Sequence, residues 1–99
     1  MVNLNPKYVK FITSTLQKHL NKDTYRYFIF GSHATGSSRK YSDIDIGIVG
    51  KMPVELHTLS RIKGDMEESD IPYRVDIVDF SKVDSKFKEV AQSEVYYLH

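Results

Sequence analysis

Asp43 and Asp45 are separated by a single residue and are the first candidates for a metal-binding or catalytic role. They lie in the clearest alternation of the chain, residues 43–49, which predicts a β-strand with both aspartates on one face. Carboxylates held this close repel each other, by up to about 4 kcal/mol at an effective dielectric of 20. A divalent cation between them removes that cost, and hard carboxylate oxygens suit Mg²⁺ or Mn²⁺. The pair therefore predicts a metal site.

A glycine-rich turn precedes the aspartates. Gly31 and Ser32 directly follow an aromatic, strand-like segment, and ten residues lie between Ser32 and Asp43. Glycine permits close approach of the backbone, and consecutive amide groups form a nest that binds anions. The Ser32 hydroxyl adds a donor, and a short helical turn starting near His33 and Ala34 would add its dipole. A phosphate cradle opposite metal-binding carboxylates is what phosphoryl or nucleotidyl transfer requires.

Three helices are predicted around these residues. The first covers residues 6–20, where Asn5 and Pro6 form a start signal. The second begins near Pro53 and ends at Asp70 and Pro72. Its apolar stripe consists of Leu56, Leu59, Ile62 and Met66. The third begins at Ser81 and carries Val83, Phe87 and Val90.

The predicted strands cover residues 25–30, 43–49 and 73–79, and residues 94–99 form either a short strand or a tail. This order predicts an α/β (α+β) fold with one small mixed sheet, helices on one face, and an open face that is polar or covered. On the third strand, Arg74, Asp76 and Val78 share a face. Arg74 could therefore pair with Asp76 or contact a nucleotide. His33 is interpreted as a loop residue lining the turn, because no second histidine lies at metal-ligand spacing.

The spacing of Gly31-Ser32 to Asp43-Ile44-Asp45 resembles the signature of the DNA polymerase β-like nucleotidyltransferase superfamily. Residues 30–36 and 41–46 resemble its small prokaryotic branch, the minimal nucleotidyltransferases. The resemblance runs over most of the chain and implies the palm-like fold of that superfamily. The family has a third carboxylate on a later strand. Asp76 fits it better than Asp79, which has the opposite parity and ends the strand.

The resemblance implies a role for each matching residue. Asp43 and Asp45 would bind the metals, and Asp76 would complete one metal site and help to deprotonate the attacking hydroxyl. These three acids are the predicted catalytic residues. Gly31 and Ser32 would hold the triphosphate of ATP.

One position departs from the family pattern. Many relatives carry arginine where this chain has Thr35, which removes a candidate phosphate contact. Arg39 and Lys40 lie in the same turn and are the predicted substitutes for nucleotide binding.

The resemblance also implies a partner. Minimal nucleotidyltransferases commonly pair with a helical HEPN-type protein, and in several pairs they act as antitoxins that transfer AMP from ATP to a tyrosine of the toxin. The expected function is therefore magnesium-dependent transfer of AMP to a hydroxyl of such a partner. The alternative is a nucleotide-binding module that neutralises the partner by direct binding. A third interpretation, transfer to a small molecule such as an aminoglycoside, fits less well with a chain lacking an added acceptor domain.

Composition limits the remaining classes of function. The 99 residues predict one domain, 1–99, and the net charge of +1 gives no general attraction to nucleic acid. The absence of cysteine excludes disulfides and cysteine-based zinc sites or nucleophiles. The sequence contains neither a signal-peptide pattern nor an apolar run of membrane-spanning length, so the expected location is the cytoplasm.

Overall fold

The computed structural model describes residues 4–35, 43–81, 89–90 and 94–98, without the side chains of Ser32 and Thr35. The helices and strands follow in chain order: α1 (Pro6–His19), β1 (Tyr25–Phe30), α2 (Ser32–Thr35), β2 (Ile44–Gly50), α3 (Leu56–Glu67), β3 (Val75–Asp79) and β4 (Tyr96–Leu98). In the described part of the chain, no helix is both long and apolar enough to cross a membrane.

The strands form one mixed sheet in the order β3-β2-β1-β4. Strand β1 pairs antiparallel with both β2 and β4, whereas β2 pairs parallel with β3. The longer helices α1 and α3 contact each other and share one apolar core with the sheet. This core contains Ile12 and Leu16 of α1, Ile62 and Met66 of α3, Tyr27 and Ile29 of β1, and Ile44, Ile46 and Ile48 of β2. The predicted fold class is confirmed.

Local signals explain where the helices begin and how they pack. The side chain of Asn5 accepts a hydrogen bond from the Lys7 amide at 2.9 Å, which caps α1 as the sequence predicts. His19 at the end of α1 contacts Asp65 of α3 at 2.7 Å, so the two helices are joined at one end. This contact lowers the pKa of Asp65, and the nearby Lys18 lowers it further.

Several predicted boundaries need correction. The second long helix starts at Leu56, not near Pro53, and ends at Glu67, before the predicted stop at residues 70–72. Leu56 is 82% exposed, so it does not belong to the buried stripe of that helix, and Val54 is buried in the core instead. The reason is that Leu56 lies at the very first position of α3.

The sequence left open whether residues 94–99 form a short strand or a tail. Residues 96–98 form β4 and pair with residues 27–29 of β1, so this part of the predicted strand or tail is a strand. The predicted helix from Ser81 onwards lies for the most part outside the described residues.

The sheet face opposite the helices carries an aromatic cluster, which we define as Phe28, Phe30, Phe80 and Tyr97. The ring of Phe28 lies 5.9 Å from that of Phe80 and 5.7 Å from that of Tyr97, and it is fully buried. Gly47 pairs with Phe28 in register, and a Cβ atom there would overlap the Phe28 ring. This face was expected to be polar or covered, and the aromatic cluster covers its middle.

Adding a methyl group at Gly47 therefore tests how tightly the aromatic cluster is packed. We expect Gly47→Ala to lower the free energy of unfolding by about 1–3 kcal/mol, because overfilled packing forces rings out of their preferred positions. Gly64→Ala is the matched control, since nothing lies within 4 Å of a Cβ at that helical position. Alanine there should raise stability by up to about 1 kcal/mol. Urea-induced unfolding measures both changes, and equal shifts would contradict the proposed packing.

Candidate functional site

Gly31 connects β1 to the short helix α2 and has a left-handed backbone, with a φ of 73°. A Cβ atom at this position would lie 2.5 Å from Oδ2 of Asp45, so the Asp45 carboxylate rests directly against the glycine. The amide of Ala34 donates to the Gly31 carbonyl at 3.1 Å, which closes the turn. The predicted helical turn after the glycine is present as α2. The turn at Gly31 and strand β2 are thus in direct contact.

The sheet register brings Asp76 beside Asp45. Strands β2 and β3 run parallel, and Asp45 and Asp76 are direct partners in that pairing. Neighbouring strands lie about 4.8 Å apart, and side chains at paired positions leave the sheet on the same face. Asp43 stands just before β2 and is exposed. The amide of Ile44 donates to the Arg74 carbonyl at 2.8 Å, which fixes where the pairing begins.

The electrostatics of Asp45 show that the acids repel each other. Burial raises the pKa of Asp45 most strongly, and the charges of Asp76 and Asp43 raise it further. His33 acts in the opposite direction and lowers it. A carboxyl group that resists ionisation beside two other acids is a group whose charge a cation would stabilise.

The donor set fits Mg²⁺ or Mn²⁺ because carboxylate oxygens from two adjacent strands point to one face. Within residues 4–35, 43–81, 89–90 and 94–98, however, no three His, Asp or Glu side chains already form a compact metal-ligand group. Oδ1 of Asp76 is instead in contact with Nε of Arg74, at 3.1 Å. Of the two contacts that the sequence left open for Arg74, the structure contains the one with Asp76.

His33 is not a loop residue lining the turn, as the sequence suggested. It lies within α2 and is only 2% exposed. Its ring meets Tyr73 edge-on, with 5.5 Å between centroids, and Tyr73 meets Tyr8 of α1 at 6.1 Å. The turn is therefore packed against the segment that leads into β3. Sequence reasoning missed this anchor, because a single histidine in a four-residue helix produces no periodic pattern.

A cleft of about 580 Å³ runs along the edge strand β3 beside these acids. Asp45 and Asp76 line it together with Phe30, Tyr73 and Arg74. A second cleft of similar volume lies at the opposite edge of the sheet, where Tyr97 and Leu98 of β4 help to line it, far from the acids. Since Asp45 and Asp76 line the first cleft, we assign the candidate site to it.

Asp79, the alternative third acid, has a different surrounding. Its carboxylate accepts hydrogen bonds from the amides of Val54, at 2.8 Å, and Ser81, at 2.9 Å. These bonds connect the end of β3 to the segment before α3. The remaining predicted nucleotide contacts, Arg39 and Lys40, lie outside the described residues, as do the side chains of Ser32 and Thr35.

The chain matches known proteins in sequence and in fold. Residues 10–97 match the family described as Polymerase beta, Nucleotidyltransferase. A relative from Haemophilus influenzae, described as a probable protein adenylyltransferase MntA, is 35% identical over 79 residues. That match covers 80% of this chain and 68% of the relative. The chain therefore belongs to the polymerase β nucleotidyltransferase family.

Two solved structures share the fold. A chain from a crystal structure of a toxin-antitoxin with AMP-PNP superposes with a TM-score of 0.74 and 20% identity, over 92% of this chain and 72% of that one. A chain from a structure of a mutant MntA-HpeT toxin-antitoxin gives a TM-score of 0.74 and 19% identity, over 97% and 73% of the two chains. At this identity the likeness shows the nucleotidyltransferase fold.

Replacing Gly31 tests the contact between the turn and Asp45. Gly31→Ala should lower the free energy of unfolding by about 1–2 kcal/mol from the left-handed backbone alone, and the clash with the carboxylate should add to this. In an Asp45→Ala background the clash is absent, so the same substitution should cost less. Thermal or urea unfolding of the four proteins measures this coupling. An equal cost in both backgrounds would show that Gly31 does not pack against Asp45.

Replacing Asp45 by asparagine tests the repulsion among the acids. Because the folded protein raises the pKa of Asp45, ionising this group opposes folding. The cost is complete above the folded pKa and vanishes as the pH falls to the unfolded pKa, about 3.9. We therefore expect Asp45→Asn to melt higher than wild type, or nearly equally, at pH 7 without metal. The difference should shrink towards pH 4.

The control is Asp70→Asn, which removes one negative charge from an exposed position outside the cleft. A large loss of stability in Asp45→Asn alone would instead identify Asp45 as a structural hydrogen-bond acceptor.

Proposed function

We propose that this chain transfers AMP from ATP to a hydroxyl group on a helical partner protein and thereby acts as the antitoxin of a toxin–antitoxin pair. The observation that carries the proposal is the register pairing of Asp45 with Asp76 directly beside the Gly31 turn. Family membership supports nucleotidyl transfer. The naming of the 35% identical relative as a probable protein adenylyltransferase supports AMP as the group and a protein as the acceptor.

In this reaction, the acceptor oxygen forms a bond to the α-phosphorus of ATP, and the bond from that phosphorus to the β-phosphate oxygen breaks. Pyrophosphate leaves, and the acceptor hydroxyl loses its proton. We assign that proton to the carboxylate of Asp76, which shares a face and a cleft with Asp45. The bound Mg²⁺ or Mn²⁺ would neutralise the triphosphate and align the attacking and leaving oxygens.

Other residues around the acids would bind the triphosphate and the metal. Gly31 gives the triphosphate access to the backbone amides that begin α2, and Ser32 adds its hydroxyl. Asp43 and Asp45 would hold the metal, with Asp76 as the third ligand. Arg39 and Lys40 are the proposed cations that contact phosphate in place of the arginine that Thr35 replaces.

A partner protein is the preferred acceptor for two reasons. The structures that share this fold come from toxin-antitoxin crystals, and one of them contains the ATP analogue AMP-PNP. The cleft along β3 is open, which suits a hydroxyl presented by another protein. We propose a HEPN-type helical protein as that partner, as the sequence resemblance implies. The competing possibility is that the chain binds nucleotide weakly and silences its partner by contact alone.

Removing the two metal-binding acids separates these possibilities. We expect Asp43→Asn/Asp45→Asn to lose AMP labelling of a co-purified HEPN-type protein by α-³²P-ATP, because the triphosphate is no longer neutralised. The variant should also lose the Mg²⁺-dependent rise in melting temperature with ATP. That rise corresponds to about 2.7 kcal/mol at a hundredfold excess of ligand over its dissociation constant.

The matched control is Asp79→Asn, a strand aspartate whose carboxylate is bound to backbone amides. It should melt lower than wild type but still label the partner and bind ATP. Labelling by the double variant would refute the mechanism. A double variant that silences the toxin without labelling it would favour neutralisation by contact.

A further inference from the structure

Arg74 occupies a special position at the candidate site. It lies just before β3, and its Nε contacts Oδ1 of Asp76 at 3.1 Å. The Arg74 side chain is 76% exposed, whereas that of Asp76 is 37% exposed. The guanidinium is thus held at one point, and the rest of the side chain faces solvent.

The charges around Arg74 explain why it takes this position. Asp43, Asp45 and Asp76 form a negative group, and a cation beside Asp76 relieves part of their repulsion. Lys63 and Glu67 of α3 also line the cleft, but they carry opposite charges and approach from the helix layer. Arg74 forms an ion pair with one of these acids, through the contact of its Nε with Oδ1 of Asp76.

This contact occupies one of the two Asp76 carboxylate oxygens that could bind a metal ion. A carboxylate oxygen that accepts a hydrogen bond from arginine is less available to a divalent cation, and the arginine charge repels that cation. The guanidinium also matches phosphate oxygens well, because its planar fork donates two parallel hydrogen bonds. Arg74 directly follows Tyr73, which packs on His33 of the turn after Gly31. Because the Arg74 side chain is exposed, it can exchange one anion for the other with little cost in packing.

We propose that Arg74 is an exchangeable counter-ion, which pairs with Asp76 when no metal is bound and moves to the triphosphate when metal and nucleotide bind. This inference rests on the proposed function, since it requires a metal-dependent nucleotide site. It assigns Arg74 to the donor substrate, a nucleoside triphosphate, and makes metal binding and nucleotide binding depend on one side chain.

The test is Arg74→Gln, measured in two binding experiments without a partner protein. Binding of Mn²⁺ alone, followed by the free-ion signal in electron paramagnetic resonance, should become tighter by several-fold and up to about tenfold. The repulsion between a unit charge and a divalent ion about 6 Å away in water corresponds to about a tenfold change in affinity. Binding of ATP in excess Mg²⁺, measured by calorimetry, should become about tenfold weaker because a charged phosphate contact is lost.

Two control variants accompany it. Arg26→Gln removes an exposed arginine from the far end of β1 and should change neither affinity. Arg74→Lys keeps the charge, so it should bind Mn²⁺ as wild type does and retain part of the affinity for ATP.

Opposite changes in the two affinities of Arg74→Gln would support the proposal. If both affinities fall, Arg74 has a structural role, and if both rise, it only repels the metal; either result overturns the exchange. If wild type binds neither Mn²⁺ nor ATP, the proposed function fails and the exchange fails with it. If wild type binds both and Arg74→Gln changes neither, only the exchange is overturned.

Discussion

The repulsion between negative charges at Asp45 is the constraint on which the arrangement of this structure depends. Gly31 touches this carboxylate from the β1 side, and Asp76 lies beside it on the β3 side. Such an arrangement persists only if something else fixes the register. The apolar core does so, because Ile44 and Ile46 alternate with the acids and are fully buried. A slip of one residue would expose both isoleucines, so burial on one face holds the charges together on the other.

The face that carries the acids is itself divided. Gly47 has no side chain, so the Phe28 ring lies low over the middle of the sheet and packs on Phe80. Phe30 pairs with Asp45 in register and lines the same cleft, which brings the aromatic cluster up to the acids. Apolar neighbours reduce the solvation of Asp45 and strengthen each charge interaction there. The aromatic cluster that stabilises the sheet therefore also increases the energy that a cation beside Asp45 would gain.

The sequence predicts most of this fold because alternation and helical spacing follow directly from backbone geometry. The ends of β1 match the expected residues, those of β2 differ by one, and the parity of Asp45 and Asp76 is as predicted. The order of the strands in the sheet could not be predicted in this way, because a local sequence pattern does not reveal which strands become neighbours. Leu56 was misplaced because position on a helical stripe does not reveal where the helix begins. The packing of His33 on Tyr73 depends on residues forty positions apart, which no local pattern contains.

The two aspartates of β3 show how geometry selects among chemically equal residues. Asp79 already accepts two backbone amides, so its negative charge is compensated by the chain itself. Asp76 instead pairs in register with another aspartate, and its carboxylate contacts an exposed arginine. A metal ion or a departing proton gains more from the second carboxylate, because the first must give up structural bonds to receive it. Parity places Asp76 on the same face as Asp45, and the unequal hydrogen bonding favours Asp76 over Asp79 as the proposed third acid.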